Sequence, residues 1–454
     1  MQTGTMNMTA GSVKRVMLTF ALPVFLSQLF QQLYNAADSL IVGNLLGKQA
    51  LAAVSSSAAL LQLLTALMIG VALGAGVVIS RYFGAEEYET VSDAIHTTVA
   101  FGVAAGAIMT VVGVLLSPVL LRWMGTAPDV MEGSVSYFRN YFLGSLGVLL
   151  YNVFTGIMTA LGDSRRPLYY LIFSSVLNVI LDIVFIAIFG FGVGSAATAT
   201  AISQAASALL CFLYLRKPGT IYQVRVRDVR FHPRLMREIV RMGLPTGIQN
   251  SVVSIGNVAV QSYINSFGSD AMAGCGSYSK LQGFAFLPVT SFAMALTTFV
   301  SQNLGAKQYE RAKQGARFGI LSTILMAQLI GMVLMFASPV LASLFNRDPD
   351  VVRIAVAQSR VENLFFFLLG FSHAVAAVCR GAGRATVPMA VMLSVWCVFR
   401  IIFITVGMQF AHDIRILFCA YPVTWTISSV IFLVYLLKSD WLHAYERSAA
   451  RLHG

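Results

Sequence analysis

Long apolar stretches, separated by short polar turns, run the length of this chain. Read at roughly 20 residues per membrane crossing, they number about twelve. They cover 16–42, 50–80, 91–118, 133–161, 167–189, 193–215, 237–266, 272–303, 311–340, 352–380, 386–410 and 413–437. The first contains "QQLYNAADSLIVGNLLG", in which Gln28, Gln31, Asn35 and Asp38 step by three, four and three. That spacing puts one polar stripe on one face of an otherwise greasy helix. Prolines 23 and 245 lie near the starts of the first and seventh stretches, and Pro288 lies inside the eighth. Each is a kink or a bending point.

The pattern is also written twice. "SRYFGAEEYE" at Ser80 matches "SQNLGAKQYE" at Ser301, a spacing of 221 residues. The same spacing pairs the two "SPVL" segments at Ser117 and Ser338, Gly162 with Gly383, and Pro167 with Pro388. With one inserted residue, Pro23 in "ALP" meets Pro245 in "GLP". Each half therefore holds six spans, and an even number means that both halves enter the membrane in the same direction. The predicted fold is an all-α polytopic membrane protein, with about twelve transmembrane helices in two pseudo-symmetric six-helix bundles related as a parallel repeat. Its expected parts are an N-terminal bundle (1–215), a linker (216–236), a C-terminal bundle (237–437) and a tail (438–454).

Composition agrees. Hydrophobic residues make up 57% of the chain and charged residues 11%, with a mean hydropathy of +0.75. A soluble domain averages about 25% charged residues. The net charge of +12 raises nucleic acid as a partner, but its distribution points elsewhere. Counting alternate loops from the N-terminus places 22 of the 31 basic residues on one side, eight on the other, and Arg400 inside a span. This is the positive-inside pattern, which predicts cytoplasmic termini and linker and argues against a nucleic-acid partner. All five cysteines fall within spans and read as small buried side chains. The first stretch is too long and too rich in amides for a cleavable signal.

Charge inside a span is costly, so each case needs a reason. Asp38 is one. The fifth span adds Asn178 and Asp182, four residues apart and so on one face. The sixth opens "GVGSAATATAISQ", where small residues permit close helix approach and Thr198, Thr200 or Ser203 could offer an oxygen. Two carboxylates, an amide and a hydroxyl form a hard-oxygen site for Na⁺ or a proton. The bland reading is a set of interhelical hydrogen bonds. Asp38 and Asp182 read as the only acids deep within any span, with Glu362 close to the outer interface and structural. The second half keeps an amide stripe (Asn250, Ser254, Asn257, Gln261) but has Val260 where Asp38 would repeat. The 221 spacing sets Phe399 against Asn178 and Phe403 against Asp182, with Arg400 as a structural or gating cation.

With "ALP", "QQLYNAADSLIVGNLLG", "SRYFGA", "ALGDSRRP", "GAGRATVP" and "LNVILDIVFI" in place, the chain resembles the multidrug and toxic compound extrusion (MATE) transporters over about 16–437. The resemblance implies two bundles in a V shape, exporting amphiphilic, often cationic compounds by antiport with Na⁺ or H⁺. In the branch with an N-lobe cation site, the family's residues match Asp38, Asn178, Asp182 and Thr200 here. Gln28, Gln31, Asn35, Asn250, Asn257 and Gln261 are the substrate-cavity candidates, and Pro23 is a hinge candidate. No cofactor, no metal beyond Na⁺ at the coupling site, and a monomer with lipid and amphiphilic small molecules as partners are expected. The alternative is a flippase for lipid-linked saccharides, for which Arg400 is the sole support. An enzyme acting on prenyl diphosphates would need clustered carboxylates for Mg²⁺, and the chain has no DxxD.

Overall fold

A computed structural model describes residues 6–123, 126 and 128–443, so the expected tail lies outside the described residues beyond His443. Every regular element among them is helical. The first half runs α1 (Val13–Leu46), α2 (Lys48–Gly84), α3 (Tyr88–Trp123), α4 (Pro128–Leu143), α5 (Ser145–Ala160), α6 (Arg165–Asp182) and α7 (Gly194–Leu215). The second runs α8 (Pro233–Asn265), α9 (Ser269–Gly305), α10 (Tyr309–Ser343), α11 (Pro349–Asn363), α12 (Phe366–Gly381), α13 (Thr386–Val391), α14 (Arg400–Phe410) and α15 (Arg415–Lys438). Nine helical segments are long and apolar enough to cross a bilayer among the described residues. Two bent pairs, α4–α5 at 49° and α11–α12 at 55°, add two more crossings. The twelfth, α8, is 33 residues long but more polar, because it carries Arg234, Arg237, Glu238 and Arg241 before its amide stripe.

The 221-residue spacing reappears in the backbone. Glu86 (φ 59°) and Lys307 (φ 57°), the only non-glycines with positive φ among the described residues, are repeat mates. So are Gly47 (84°) and Gly268 (90°), and Gly162 (88°) and Gly383 (80°). Each pair reverses the chain between consecutive helices, where a left-handed residue closes a turn that an ordinary helical residue would continue. The bends match as well, since Gly144 breaks α4–α5 and Phe365, 221 residues on, breaks α11–α12.

Two compact units result. One comprises Met1–Asn7 with Leu26–Gly247, the other Met8–Phe25 with Ile248–Gly454. The units thus differ from plain chain halves, because α1 and α8 each change unit part-way along. Both changes fall two residues after the matched prolines, Pro23 and Pro245. In the first unit, Gly70 and Gly74 of α2 meet Gly243 and Gly247 of α8. A methyl group on Gly70 would stand 2.3 Å from the Gly247 backbone, so only paired small residues allow this approach. In the second unit, Arg311 donates to the carbonyls of Met8, Ala10 and Gly11, pinning the segment before α1. Along α10, Leu321, Leu325, Leu329, Val333, Phe336 and Val340 step by three or four residues at 58–72% exposure, a stripe suited to lipid.

Candidate functional site

Small residues at the start of α7 let it lie close against the bent α4–α5 pair. A methyl group on Gly144 would sit 2.1 Å from Ala201 Cβ, and one on Gly194 would sit 2.3 Å from Ser136 Oγ. Asn140 seals the contact by donating to the Gly194 carbonyl at 3.0 Å. This packing fixes Thr200, whose hydroxyl meets Tyr34 Oη of α1 at 3.1 Å.

On α6, Asn178 and Asp182 are one turn apart and fully buried. With its amide oriented to satisfy both neighbours, Asn178 donates to Asp182 Oδ2 at 3.0 Å and accepts the Thr200 backbone N–H at 3.1 Å. Asp38 of α1, only 8% exposed, faces Asp182 within hydrogen-bonding reach. Tyr34 of α1 and Tyr137 of α4 stand beside both carboxyls, and Tyr141 flanks the two tyrosines. The structure therefore gathers Asp38, Asn178, Asp182 and Thr200 from three helices into one cluster. Directly after Asp182 the helix widens into a π turn, Ile183–Ile188, a departure from regular geometry that recurs at functional sites.

One oxygen of each acid, Asp38 Oδ1 and Asp182 Oδ1, is buried with no hydrogen-bond partner. Among the described residues neither acid forms an ion pair. Two carboxylates facing each other in a low-dielectric interior repel strongly, and orphaned oxygens add their own desolvation cost. A shared proton removes the repulsion, and so does a small hard cation held between the oxygens.

The other predicted polar residues divide by position. Gln31 and Asn35 on α1 are exposed and Gln28 is half-buried, so the stripe turns inward only at Asp38. On α8, Asn250, Asn257 and Gln261 are exposed, and Gln261 donates to Asn265 at 2.9 Å. Pro23 is buried within α1.

Two expectations need correction. Glu362 is not at the edge of the helix packing. It is fully buried beside the α11–α12 bend and accepts from Gln358 at 2.7 Å and Gln282 at 3.0 Å. Arg400 is its charged neighbour, 2% exposed, donating to Thr424 at 3.0 Å with its guanidinium 4.4 Å from the centre of the Tyr421 ring. Asp38 and Asp182 are thus not the only deeply buried acids. Cys419 is also exposed, whereas the other four cysteines are buried as read.

Sequence reasoning missed the tyrosines. Tyr34 precedes Asp38 by four residues, and Tyr137 and Tyr141 are four apart, so the helical spacing was available as a signal.

A family model, MatE, matches residues 23–184 and again residues 245–406. The chain belongs to the MATE family. Both matches of this MATE chain begin at the paired prolines, Pro23 and Pro245. The probable multidrug resistance protein YoeA of Bacillus subtilis (strain 168) is 30% identical over 433 residues, 93% of each chain. The multidrug export protein MepA of Staphylococcus aureus (strain MSSA476) is 23% identical over 387 residues, 84% of each chain. Among solved structures, a MOP superfamily transporter from Pyrococcus furiosus shares the fold of this MATE chain, with a TM-score of 0.89 over 99% of both chains at 22% identity.

Proposed function

We propose that this MATE transporter is a secondary active multidrug exporter and not an enzyme, moving amphiphilic, often cationic compounds outward in exchange for Na⁺ or H⁺. The observation that carries the reading is the pair of orphaned oxygens on Asp38 and Asp182, two buried acids with no answering cation in an ion pair among the described residues. The relatives' names, multidrug resistance and multidrug export, support the substrate class. The exposed amides Gln31, Asn35, Asn250, Asn257 and Gln261 offer substrate hydrogen bonds without fixed charge, which suits chemically varied cargo. Arg400 is enclosed between aromatic rings and Thr424, so it gives the flippase reading no anion-binding surface.

An ion entering the cluster bridges α1 to α6 and changes how α1 packs against α6 and α7, with Pro23 as the bending point. If that packing favours release of substrate, ion entry and substrate binding oppose each other reciprocally. A coupling of ~2 kcal/mol changes affinity roughly thirtyfold. The transporter acts as a monomer in the bacterial plasma membrane with both termini cytoplasmic, an orientation motivated by the basic loops. Labelling of a single Thr220→Cys by an impermeant reagent in whole cells would reverse that orientation.

Everted vesicles with Na⁺ and pH gradients imposed separately test the antiport. Uptake of an amphiphilic cation should follow one gradient and stop when an ionophore collapses it. Uptake that continues unchanged without either gradient would remove the coupling.

A further inference from the structure

Eight basic residues fall on the side of the membrane away from the N-terminus, where the topological bias does not place them. Three of those eight, Arg347, Arg353 and Arg360, line one groove of about 550 Å³, formed where α10 ends and α11 begins. Its wall is otherwise largely apolar, with Pro339, Val352 and Val356 along it. Arg353 and Arg360 are seven residues apart on α11, so they share a face with Val356 between them. All three arginines are exposed. Arg353 pairs with Asp350 at 3.0 Å. Among the described residues Arg347 and Arg360 form no ion pair, so the groove keeps a positive charge.

The repeat shows that the fold does not require these charges. At the positions 221 residues earlier stand Thr126, Glu132 and Arg139, with Arg122 in place of Ser343. The apolar wall recurs, since Pro118 and Val135 replace Pro339 and Val356. The lining of the second half therefore carries three positive charges where that of the first carries a net one. The groove also adjoins the lipid-facing stripe of α10. Val340 and Leu344, next in sequence to the lining residues Pro339 and Ser343, are 67% and 76% exposed.

We propose that this groove is a binding site for an anionic phospholipid of the leaflet away from the N-terminus. The phosphate sits between Arg347 and Arg360, and an acyl chain lies along Val352, Val356 and Pro339. Guanidinium groups match phosphate oxygens with paired N–H donors, which favours arginine over lysine here. The apolar wall and the adjoining lipid-facing stripe select a lipid over a soluble anion, which has no use for either.

Native mass spectrometry of the purified full-length protein tests this. Phosphatidylglycerol is titrated against phosphatidylcholine of identical chains, with inorganic phosphate as competitor. The wild type should retain phosphatidylglycerol in preference, and neutralising Arg347→Gln and Arg360→Gln together should weaken it about fivefold per arginine. Both arginines are exposed, so the packed interior is left intact. Arg122→Gln, in the corresponding region of the first half, should leave the preference unchanged. Equal retention of the two lipids, a preference that survives the double substitution, or displacement by inorganic phosphate would each overturn the assignment.

Discussion

Beside the bend of α4, Tyr137 faces two aspartates, with Tyr141 one turn on. Beside the matching bend of α11, the residues 221 positions on are Gln358 and Glu362, and the fifth span of that half carries Arg400 where the first half has Val179. Thr200 has Tyr421 as its counterpart, and Asp38 and Asp182 have Val260 and Phe403. In the second half, both oxygens of the single carboxylate receive amide donors, and a guanidinium lies nearby. In the first, the one amide donor reaches Asp182 alone, and each of the two carboxylates keeps an orphaned oxygen. One repeated scaffold thus holds a compensated acid in one half and an uncompensated pair in the other. A buried acid alone is not evidence of an ion site; what matters is whether its charge is already answered.

The largest effect should come from breaking the compensated half. Arg400→Ala removes the Thr424 hydrogen bond, the Tyr421 and Trp396 ring contacts and the cation near Glu362, at a cost of about 3 kcal/mol. Thermal unfolding in detergent should register that loss while binding of the coupling ion persists. If binding vanishes in folded protein, Arg400 belongs to the coupling site and the contrast between the halves fails.

A smaller change sharpens the other half. Gly144→Val drives a side chain into Ala201 beside Thr200, an overpacking cost of ~2 kcal/mol. Ion affinity should drop with stability, and unchanged affinity would remove Thr200 from the ligand set. Smaller again is Thr200→Val, which keeps the shape but deletes the hydroxyl. Losing one oxygen ligand should weaken ion binding about tenfold, and Thr200→Ser should restore most of it. Equal affinity in Thr200→Val would leave the hydroxyl a purely structural role.

Much of this was legible because a lipid-dissolved chain makes polar residues conspicuous. Asp38, Asn178 and Asp182 stand out by charge and by one-turn spacing, and the 221-residue repeat exposed the missing acids of the second half. Thr200 was different: spacing left it level with Thr198 and Ser203, and only the family resemblance singled it out. The tyrosines stayed hidden because Tyr137 approaches Asp38 and Asp182 only in the folded chain, and a tyrosine in a greasy helix carries no alarm. The burial of Glu362 was not legible, because its own span shows only one acid near the start of an apolar window. The 55° bend and the Gln282 and Gln358 donors that bury it are tertiary facts. The unit change within α1 and α8 was likewise invisible, although the two prolines next to it were not.

The central claim is that coupling resides in the uncompensated pair. Gradient-driven export of an amphiphilic cation, measured per inserted molecule in everted vesicles, compares Asp38→Asn and Asp182→Asn with Glu362→Gln. Asparagine keeps the size and some hydrogen bonding of the acid but cannot supply charge or titrate. Both first-half variants should fold and insert yet lose gradient-driven export, whereas Glu362→Gln, with neutral donors already around it, should retain most of it. Export near the wild-type rate in either aspartate variant, or its abolition in folded Glu362→Gln alone, would contradict the account.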